Sequence, residues 1–125
     1  NLYAVRDWGH AKDYVVSMWK ILQYKKPDDW IVANNKEQTV KEFIEIVSKK
    51  LKINLNWTGT GIKEKGIDKK TGKVIIDVNP KFFRPSEVDY LKGDYSKAKK
   101  YLKWKPSIST SELVDEMIET EISKY

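Results

Sequence analysis

A four-residue apolar run, Trp30-Ile-Val-Ala33, lies between two helical patterns and constrains the fold of this chain more than any other feature. Turn-forming residues flank it on both sides, Asp28-Asp29 before and Asn34-Asn35 after, so the pattern predicts a short buried strand. A single strand between two helices cannot satisfy its own backbone N–H and C=O groups. We therefore expect its partner strands to lie outside this chain, as part of a larger sheet.

Four helices are predicted from apolar periodicity and from their end signals. The first runs from Gly9 to about Lys26, where Pro27 ends it. Two others begin at capping boxes, because a Ser or Thr hydroxyl can accept from a free backbone N–H while a Glu three residues later reaches back. The remaining helix, third in chain order, begins at Asp94 and ends near Trp104. The capping boxes are Thr39-Val-Lys-Glu42 and Ser109-Thr-Ser-Glu112; the apolar stripes are Val15, Met18, Trp19 and Leu22, then Val40, Phe43, Ile44, Val47 and Leu51, then Leu113, Val114, Met117, Ile118 and Ile122.

A β-rich stretch separates the second helix from the third. Residues 54–57 alternate between polar and apolar, Gly59-Thr-Gly61 forms a turn, and residues 73–78 alternate again after the polar loop 68–72. This pattern is typical of a β-hairpin. The order of elements is helix, strand, helix, hairpin, helix, helix, which predicts a chain of the α/β class.

The composition excludes several classes of site. There is no cysteine, so a disulfide, a thiolate metal site and a catalytic thiol are all excluded, and a reducing cytoplasm is the expected location. No apolar run has the length of a membrane span or of a signal-peptide core. The 125 residues suffice for one globular domain. Since the chain begins Asn-Leu-Tyr, without an initiator Met, we expect it to be a fragment.

The charge favours a small anionic ligand over a nucleic acid. The chain has 24 basic and 18 acidic residues, a net charge of +6. Its lysines are interleaved with acidic residues over several helices, which is typical of solvated helix faces. No nucleic-acid-binding motif occurs, so no nucleic-acid partner is expected. A cationic excess also suits a nucleotide diphosphate.

Three short motifs and the single histidine are interpreted as having no catalytic role. Tyr95/Lys99 and Tyr101/Lys105 have the Tyr-x-x-x-Lys spacing of short-chain dehydrogenases, but neither follows a Gly-rich loop or a strand-borne Ser or Thr. Gly59-Thr-Gly61 lacks the third glycine of a dinucleotide-binding loop and no helix follows it. His10, the only histidine, is expected at the surface or as a helix cap, and no second His or Cys could complete a metal site with it.

Two constellations remain as candidates for ligand binding. In the first, Arg6 leads through Asp7-Trp-Gly into a helix N-terminus, a place that suits anions. In the second, Arg84 precedes Pro85, which restricts it to an extended backbone, and Glu87 follows three residues later. A guanidinium can bind diphosphate oxygens in a bidentate way, and a carboxylate can accept from ribose hydroxyls. From the residues alone, a structural salt bridge for each arginine is an equal alternative.

Ordered blocks along the whole chain resemble the GDP-mannose 4,6-dehydratase family. The first and the Arg84 blocks are specific to it, whereas the last two occur in extended short-chain dehydrogenase/reductases generally. The blocks are Arg6-Asp-Trp-Gly-His-Ala-Lys-Asp-Tyr14, Met18-Trp19, Leu22-Gln23, Pro27-Asp-Asp-Trp30, Trp57-x-Gly-x-Gly61, Thr71-Gly72, Arg84-Pro-Ser-Glu-Val-Asp89, Ser96-Lys-Ala98 and Trp104-Lys-Pro106.

The resemblance implies the carboxy-terminal part of a Rossmann-type enzyme with two portions. An amino-terminal portion upstream of Asn1 would hold NADP and the catalytic Thr, Glu, Tyr and Lys. The enzyme would oxidise C4 of GDP-mannose, eliminate water across C5 and C6, and return the hydride to C6, giving GDP-4-keto-6-deoxymannose. Residues 1–125 would form the sugar-nucleotide-binding portion, with Arg6 and Arg84 on the diphosphate and Glu87 on the ribose. A helix and strand within about 10–35 would complete the Rossmann sheet, and the full-length enzyme would form dimers or tetramers.

Some positions depart from the family pattern. Tyr3 and Val5 stand where the family has Asp and Lys, Asn34-Asn35 replaces a Thr-Gly turn, and Lys103 replaces a Gly. The first pair lies beside Arg6 and could alter guanine recognition. Alternatives within the superfamily are a GDP-deoxymannose reductase and a sugar-nucleotide epimerase. A non-catalytic sugar-nucleotide-binding module is the alternative of another class.

Overall fold

A computed structural model describes residues 1–82 and 87–125 of the chain. They divide into two compact units, each described here by itself. The sheet unit contains Asn1–Ala4 and Thr39–Asp89, and the helical unit contains Val5–Gln38 and Tyr90–Tyr125. The elements are β1 (Val5–Asp7), α1 (Ala11–Leu22), β2 (Glu37–Thr39), α2 (Val40–Lys50), β3 (Leu55–Thr58), β4 (Lys65–Asp68), β5 (Val74–Asp77), α3 (Ser96–Tyr101) and α4 (Thr110–Ile122), with 3-10 turns at Gly61–Lys63 and Pro80–Phe82.

In the sheet unit, β3, β4 and β5 form an antiparallel sheet in that order. Strands β3 and β5 were predicted from their alternation, whereas the central strand β4 was not. Gly66 of β4 lies opposite Trp57 on one side and Ile76 on the other. A Cβ at Gly66 would lie 3.1 Å from the Ile76 Cβ and 3.2 Å from the Trp57 ring. The glycine therefore lets these two side chains approach the central strand closely.

Helix α2 begins at the predicted capping box. Glu42 N donates to Thr39 Oγ1 over 3.1 Å, and Thr39 N donates to Glu42 Oε2 over 2.7 Å. Two further N–H groups of the first turn are satisfied by the amino-terminal segment: Val40 N donates to Ala4 O (3.2 Å) and Lys41 N to Leu2 O (2.8 Å). The start of α2 is thereby joined to residues 1–4, where Leu2 and Ala4 are buried.

The helical unit is organised around Trp104, which is 2% exposed. The Trp104 Nε1–H donates to the Asp13 carbonyl over 2.9 Å, so its polar atom is satisfied inside the core. The Tyr95 ring meets it edge-on, with 5.8 Å between centroids. Ala98 and Leu102 are also buried in this cluster, and six half-buried aromatic and aliphatic residues surround it: Tyr14, Ile21, Tyr24, Trp30, Val32 and Tyr95.

Helix α1 is shorter than predicted and presents its apolar stripe outward within the helical unit. It begins after the His10 cap and ends at Leu22, five residues before Pro27. Its buried residues are Asp13 and Ser17, on the side that meets Trp104. The predicted stripe is solvent-exposed in the described residues: Val15 is 62%, Met18 61%, Trp19 63% and Leu22 80% exposed.

The apolar run at residues 30–33, predicted to be a strand, pairs with no other strand among the described residues. Residues 27–36 have an irregular backbone and no ladder to another strand. Ala33 is buried, but Ile31 is 57% exposed. A strand requires hydrogen-bonded neighbours, and the described residues supply none to this segment. Because the partner strands are expected outside this chain, the pairing of residues 30–33 with a Rossmann sheet stays a prediction.

The last two helices follow their end signals. Asp94 Oδ1 accepts from Ser96 N over 2.8 Å at the start of α3, which ends at Tyr101 instead of near Trp104. Helix α4 begins at the predicted Ser109–Glu112 capping box, and its Val114 is fully buried. In the described ranges, no helix combines the length and the apolarity needed to cross a bilayer.

Candidate functional site

Arg6 lies on β1 in the helical unit and is half-buried. Its Nη1 donates to the Val5 carbonyl over 2.8 Å, so the guanidinium folds back along its own strand. The same carbonyl accepts from Leu91 N over 3.1 Å, and Val5 pairs with Tyr90 as an isolated parallel bridge. Strand β1 also pairs with β2. Arg6 therefore projects from a strand that is hydrogen-bonded along both of its edges.

Asp7, the next residue, receives backbone N–H groups from two separate segments. Asn34 N donates to its Oδ1 over 2.5 Å, and Asn35 N donates to its Oδ2 over 2.9 Å. Gly93 N approaches the same Oδ2 at 3.4 Å. The Asn34 side-chain amide donates in addition to the Trp8 carbonyl over 2.7 Å. These contacts join residues 34–35 and residue 93 to the end of β1.

The rest of the first family block forms the corner between β1 and α1. The Trp8 Nε1–H donates to the Gln38 carbonyl over 3.2 Å. Gly9 accommodates the Tyr14 phenol, because a Cβ at Gly9 would lie 2.0 Å from the Tyr14 hydroxyl oxygen. Burial, with Asp7 and Asp13 nearby, raises the pKa of Tyr14. A bulkier residue at position 9 would have to displace this ring.

His10 is the N-cap of α1, as one of the two sequence alternatives predicted. Its Nδ1 accepts from Lys12 N over 3.0 Å, and its Nε2 lies 3.1 Å from Glu116 Oε2. The imidazole is 7% exposed, which excludes the surface alternative. At the N-terminus of α1, the His10 side chain accepts from one backbone N–H, that of Lys12, and Asp13 places a negative charge in the first turn. Anion binding at this helix end stays a prediction.

Asp13 fastens the segment that leads into α4. Its carboxylate accepts from Ser107 N (2.9 Å), Ser107 Oγ (2.6 Å) and Ile108 N (3.0 Å). Burial opposes ionisation of Asp13, but the Ser107 hydroxyl and the two backbone N–H groups outweigh it, so its pKa is lowered. Asp13 is therefore a structural carboxylate.

The second constellation lies mostly outside the described residues. Arg84 falls in the range 83–86, so its predicted position stays a prediction. Glu87 is half-buried and lies in an irregular segment of the sheet unit. The helical turn considered for Glu87 is not present at residues 87–89. Arg6 and Glu87 belong to different units, so a binding role is considered for each residue separately.

The two Tyr-x-x-x-Lys motifs belong to packing interactions. Tyr95 contacts Trp104, as described above. The Tyr101 ring meets Trp30 with 6.5 Å between centroids, and Lys100 Nζ lies 5.1 Å from the Tyr101 centroid. Lys99 and Lys105 are exposed. These contacts support the interpretation that both motifs are chance matches.

The sheet unit contains a polar cluster that the sequence did not reveal. Lys41 Nζ lies 2.7 Å from Glu64 Oε1, and the Tyr3 hydroxyl donates to the same oxygen over 2.9 Å. The Lys41 hydrogen bond, followed by the Tyr3 hydrogen bond, lowers the pKa of Glu64 although burial opposes this. Lys41 Nζ also lies 4.5 Å from the Trp57 ring centroid. Tyr3, one of the departures from the family pattern, is thus used to bind a buried carboxylate.

Two cavities among the described residues do not suit a diphosphate. One, of about 180 Å³, is lined by His10, Glu116, Glu121 and residues of α4. Its carboxylates make it unsuitable for a diphosphate. The other, of about 350 Å³, has three lysines at its rim, Lys49, Lys52 and Lys69, but lies at the carboxyl end of α2, where the helix dipole disfavours an anion.

A nicotinamide cofactor does not fit the one glycine-rich turn that the sequence offered. Gly59-Thr-Gly61 leads into the 3-10 turn Gly61–Lys63 and then into β4, instead of into an α-helix. A dinucleotide-binding loop needs a helix N-terminus at this point to receive the pyrophosphate. Among the described residues, no group of three or more His, Cys, Asp or Glu side chains could hold a metal ion.

Comparison with protein families and curated proteins gives a consistent result. A family model described as GDP-mannose 4,6 dehydratase matches residues 1–117. The GDP-mannose 4,6 dehydratases of Drosophila melanogaster, Dictyostelium discoideum and Homo sapiens are 44%, 46% and 45% identical to this chain over 122 residues, 98% of its length. The chain spans 31%, 34% and 33% of the lengths of these relatives, or about a third.

A solved structure shows the same fold. RMD from Pseudomonas aeruginosa, determined in complex with NADPH, matches 100% of this chain with a TM-score of 0.74 and a sequence identity of 16%. The match covers 35% of that structure's chain. The mixed α/β fold of this chain is therefore also the fold of a portion of that longer chain.

Proposed function

We propose, because this chain belongs to the GDP-mannose 4,6-dehydratase family, that the protein containing it converts GDP-mannose to GDP-4-keto-6-deoxymannose. The observation that carries the proposal is the family match over residues 1–117, supported by identities of 44% to 46% to dehydratases from animals and Dictyostelium. Residues 1–125 act as the carboxy-terminal, sugar-nucleotide-binding portion. The reaction is that of a lyase, because it removes water from the sugar without net oxidation.

Three residues are assigned to the substrate, and the assignment rests on the family motifs. Arg6 and Arg84 bind the diphosphate, and Glu87 accepts from the ribose hydroxyls. A guanidinium suits this role, since its planar donors match two phosphate oxygens at once. The placement of Arg6 on a strand bonded along both edges supports its assignment, because a fixed backbone reduces the conformational entropy lost on binding.

The cofactor and the catalytic groups are assigned to the remainder of the full-length protein. NADP is the proposed cofactor, but the only Gly-x-Gly turn of this chain does not fit a dinucleotide. We therefore place NADP binding and the catalytic Thr, Glu, Tyr and Lys upstream of Asn1. Within this chain, no catalytic residue is proposed.

The exposed face of α1 is proposed to pack against that remainder. Val15, Met18, Trp19 and Leu22 form an apolar surface that is costly to leave in water. The described chain is about a third of its relatives' length, so two thirds of a typical family member is available to cover this face. Residues 10–35 would then belong to the interface between the two portions.

Cytoplasmic location and a homo-oligomer are proposed with the activity. Light scattering of the full-length protein tests the oligomeric state.

Substitution of Arg84 tests the assigned binding role. In the full-length protein, Arg84→Ala should weaken GDP-mannose binding by about 2–4 kcal/mol, the loss expected when charge-assisted contacts to a phosphate are removed. Isothermal titration calorimetry and the Michaelis constant give the affinity. The control is Lys81→Ala, which removes a nearby exposed cation and should leave the affinity within about twofold. An unchanged affinity in Arg84→Ala would remove this residue from the site.

Titration of the isolated chain separates a subunit portion from a self-sufficient binding module. We expect weak or absent GDP-mannose binding by residues 1–125 alone, because the site needs walls from the rest of the protein. Binding of full-length affinity that Arg84→Ala abolishes would instead support a binding module that functions without the remainder.

A further inference from the structure

We infer that Asp7 is a positioning residue for Arg6: its carboxylate fixes the end of β1 against two backbone segments and so holds the Arg6 guanidinium in the orientation that binds the diphosphate. The inference deepens the proposed function and rests on it. Asp7 itself is not proposed to touch the substrate.

The first step is the geometry of the Asp7 carboxylate. It accepts one backbone N–H from Asn34 at 2.5 Å and another from Asn35 at 2.9 Å, while Gly93 N lies at 3.4 Å. Both oxygens are used, and the donors come from segments 27 and 86 residues away in the chain. Hydrogen bonds of this kind, with a charged acceptor, are stronger than those between neutral groups.

The second step concerns the conformation that Asp7 stabilises. Asn35 has a φ of 56°, a left-handed backbone conformation that residues other than glycine rarely adopt. The Asn35 N–H donates to Asp7 Oδ2, and the neighbouring Asn34 amide is held by Trp8 O. The strained turn at 34–35 is therefore fixed from the strand that carries Arg6. Without the carboxylate, two N–H groups beside a half-buried strand would lose their acceptors.

The third step links this anchor to Arg6. Residues 6 and 7 are adjacent on β1, so their side chains point to opposite faces of the strand. One face is tied to residues 34–35 and 93 by Asp7, and the edge is tied to residue 91 through the Val5 carbonyl, which also accepts from Arg6. A rotation or shift of β1 would move the guanidinium together with its backbone. Displacements of about 1 Å are enough to weaken a charge-assisted contact substantially.

Loss of the Asp7 carboxylate should weaken substrate binding only when Arg6 is present. In the full-length protein, Asp7→Asn should raise the Michaelis constant for GDP-mannose on the order of tenfold, the equivalent of about one charge-assisted hydrogen bond, with a much smaller change in kcat. In an Arg6→Ala background the same Asp7→Asn change should raise it no further. Such non-additivity is the mark of two residues acting as a unit.

A matched control separates positioning from general stability. Asp13→Asn also removes a carboxylate that accepts from two backbone N–H groups in the helical unit, but those donors, on Ser107 and Ile108, belong to the segment before α4 and not to β1 or residues 34–35. It should lower the melting temperature without changing the Michaelis constant. The inference is overturned if Asp13→Asn raises the Michaelis constant as much as Asp7→Asn does. It is also overturned if Asp7→Asn has no effect, or has an equal effect with and without Arg6.

The wild-type protein distinguishes this inference from the function on which it rests. If the wild type neither binds nor converts GDP-mannose, the proposed function fails, and the role of Asp7 in diphosphate binding fails with it. If the wild type is active and the double-mutant cycle is additive, only the positioning role is wrong.

Discussion

At the residue scale, three lysine and asparagine residues adopt a backbone that normally selects glycine. Asn35, Lys52 and Lys103 have φ values of 56°, 58° and 52°. Two of them, Asn35 and Lys103, stand where the family resemblance expects glycine. The hydrogen bond from Asn35 N to the Asp7 carboxylate offsets the cost of this backbone conformation, and asparagine tolerates left-handed φ values better than most residues. Lys103 lies two residues after the end of α3 and directly before Trp104, which is buried at the centre of the helical unit.

Lys103→Gly should therefore stabilise the protein. Glycine has no Cβ to oppose a positive φ, and the gain should be about 1 kcal/mol after its greater unfolded-state entropy is counted. Denaturant unfolding of wild type and variant gives the difference. Lys105→Gly, a matched loss of an exposed lysine two residues away, should give no gain, because Lys105 is not among the residues with positive φ. Equal effects of the two changes would show that charge, and not backbone strain, is responsible.

At the element scale, local signals predicted the helix starts and non-local contacts decided the rest. The capping boxes at Thr39 and Ser109 involve residues three apart, so their geometry could be read from the sequence. Strand β4, Lys-Gly-Ile-Asp, has little alternation of its own and is a strand because β3 and β5 pair with it on both sides. Residues 30–33 depend on non-local contacts in the same way, because they pair with no strand among the described residues and their predicted partner strands lie outside this chain.

In the candidate site too, local motifs could be recognised in the sequence whereas non-local contacts could not. Arg6, Arg84 and Glu87 were selected by motif, which needs no knowledge of contacts. Asp7 was not selected, because the Asn34 and Gly93 donors that give it a role are 27 and 86 residues away. The Lys41–Glu64 pair was missed for the same reason, with 23 residues between the partners. The available signal for Asp7 was only its position beside Arg6 in the most specific block.

Asp13 is the element-scale link whose loss should be most easily measured. It joins the first turn of α1 to the segment before α4, and Asp13→Asn should lower the free energy of unfolding by about 2–4 kcal/mol at neutral pH. Because the folded protein lowers the pKa of Asp13, its contribution is present above the unfolded pKa and is lost as pH falls through the folded pKa. The difference between wild type and variant should therefore narrow in acid.

Unfolding curves at neutral pH and near pH 3 test this linkage. Glu119→Gln, an exposed loss of one negative charge on α4, serves as the control and should change the unfolding free energy by less than about 0.5 kcal/mol. A gap between wild type and Asp13→Asn that stays constant with pH would contradict the role assigned to the ionised carboxylate.

At the scale of the whole molecule, the exposed apolar face of α1 is proposed to be covered by the remainder of the full-length protein. In the full-length protein, Trp19→Ala should lower the free energy of unfolding by about 3 kcal/mol, the cost of truncating a buried aromatic residue. Thermal unfolding of the full-length protein gives the change. Tyr125→Ala, at a residue that is fully exposed in the described chain, should have little effect. If Trp19→Ala is equally neutral, this face is not covered by the remainder.

The central claim, that this chain is part of a GDP-mannose 4,6-dehydratase, is tested most directly by the product that the full-length protein makes from GDP-mannose. Mass spectrometry should show a nucleotide sugar lighter by one water, with no net change in nicotinamide absorbance. An epimerase would give a product of unchanged mass, and a reductase would leave GDP-mannose unconverted. Either result, obtained with folded full-length protein, would contradict the claim.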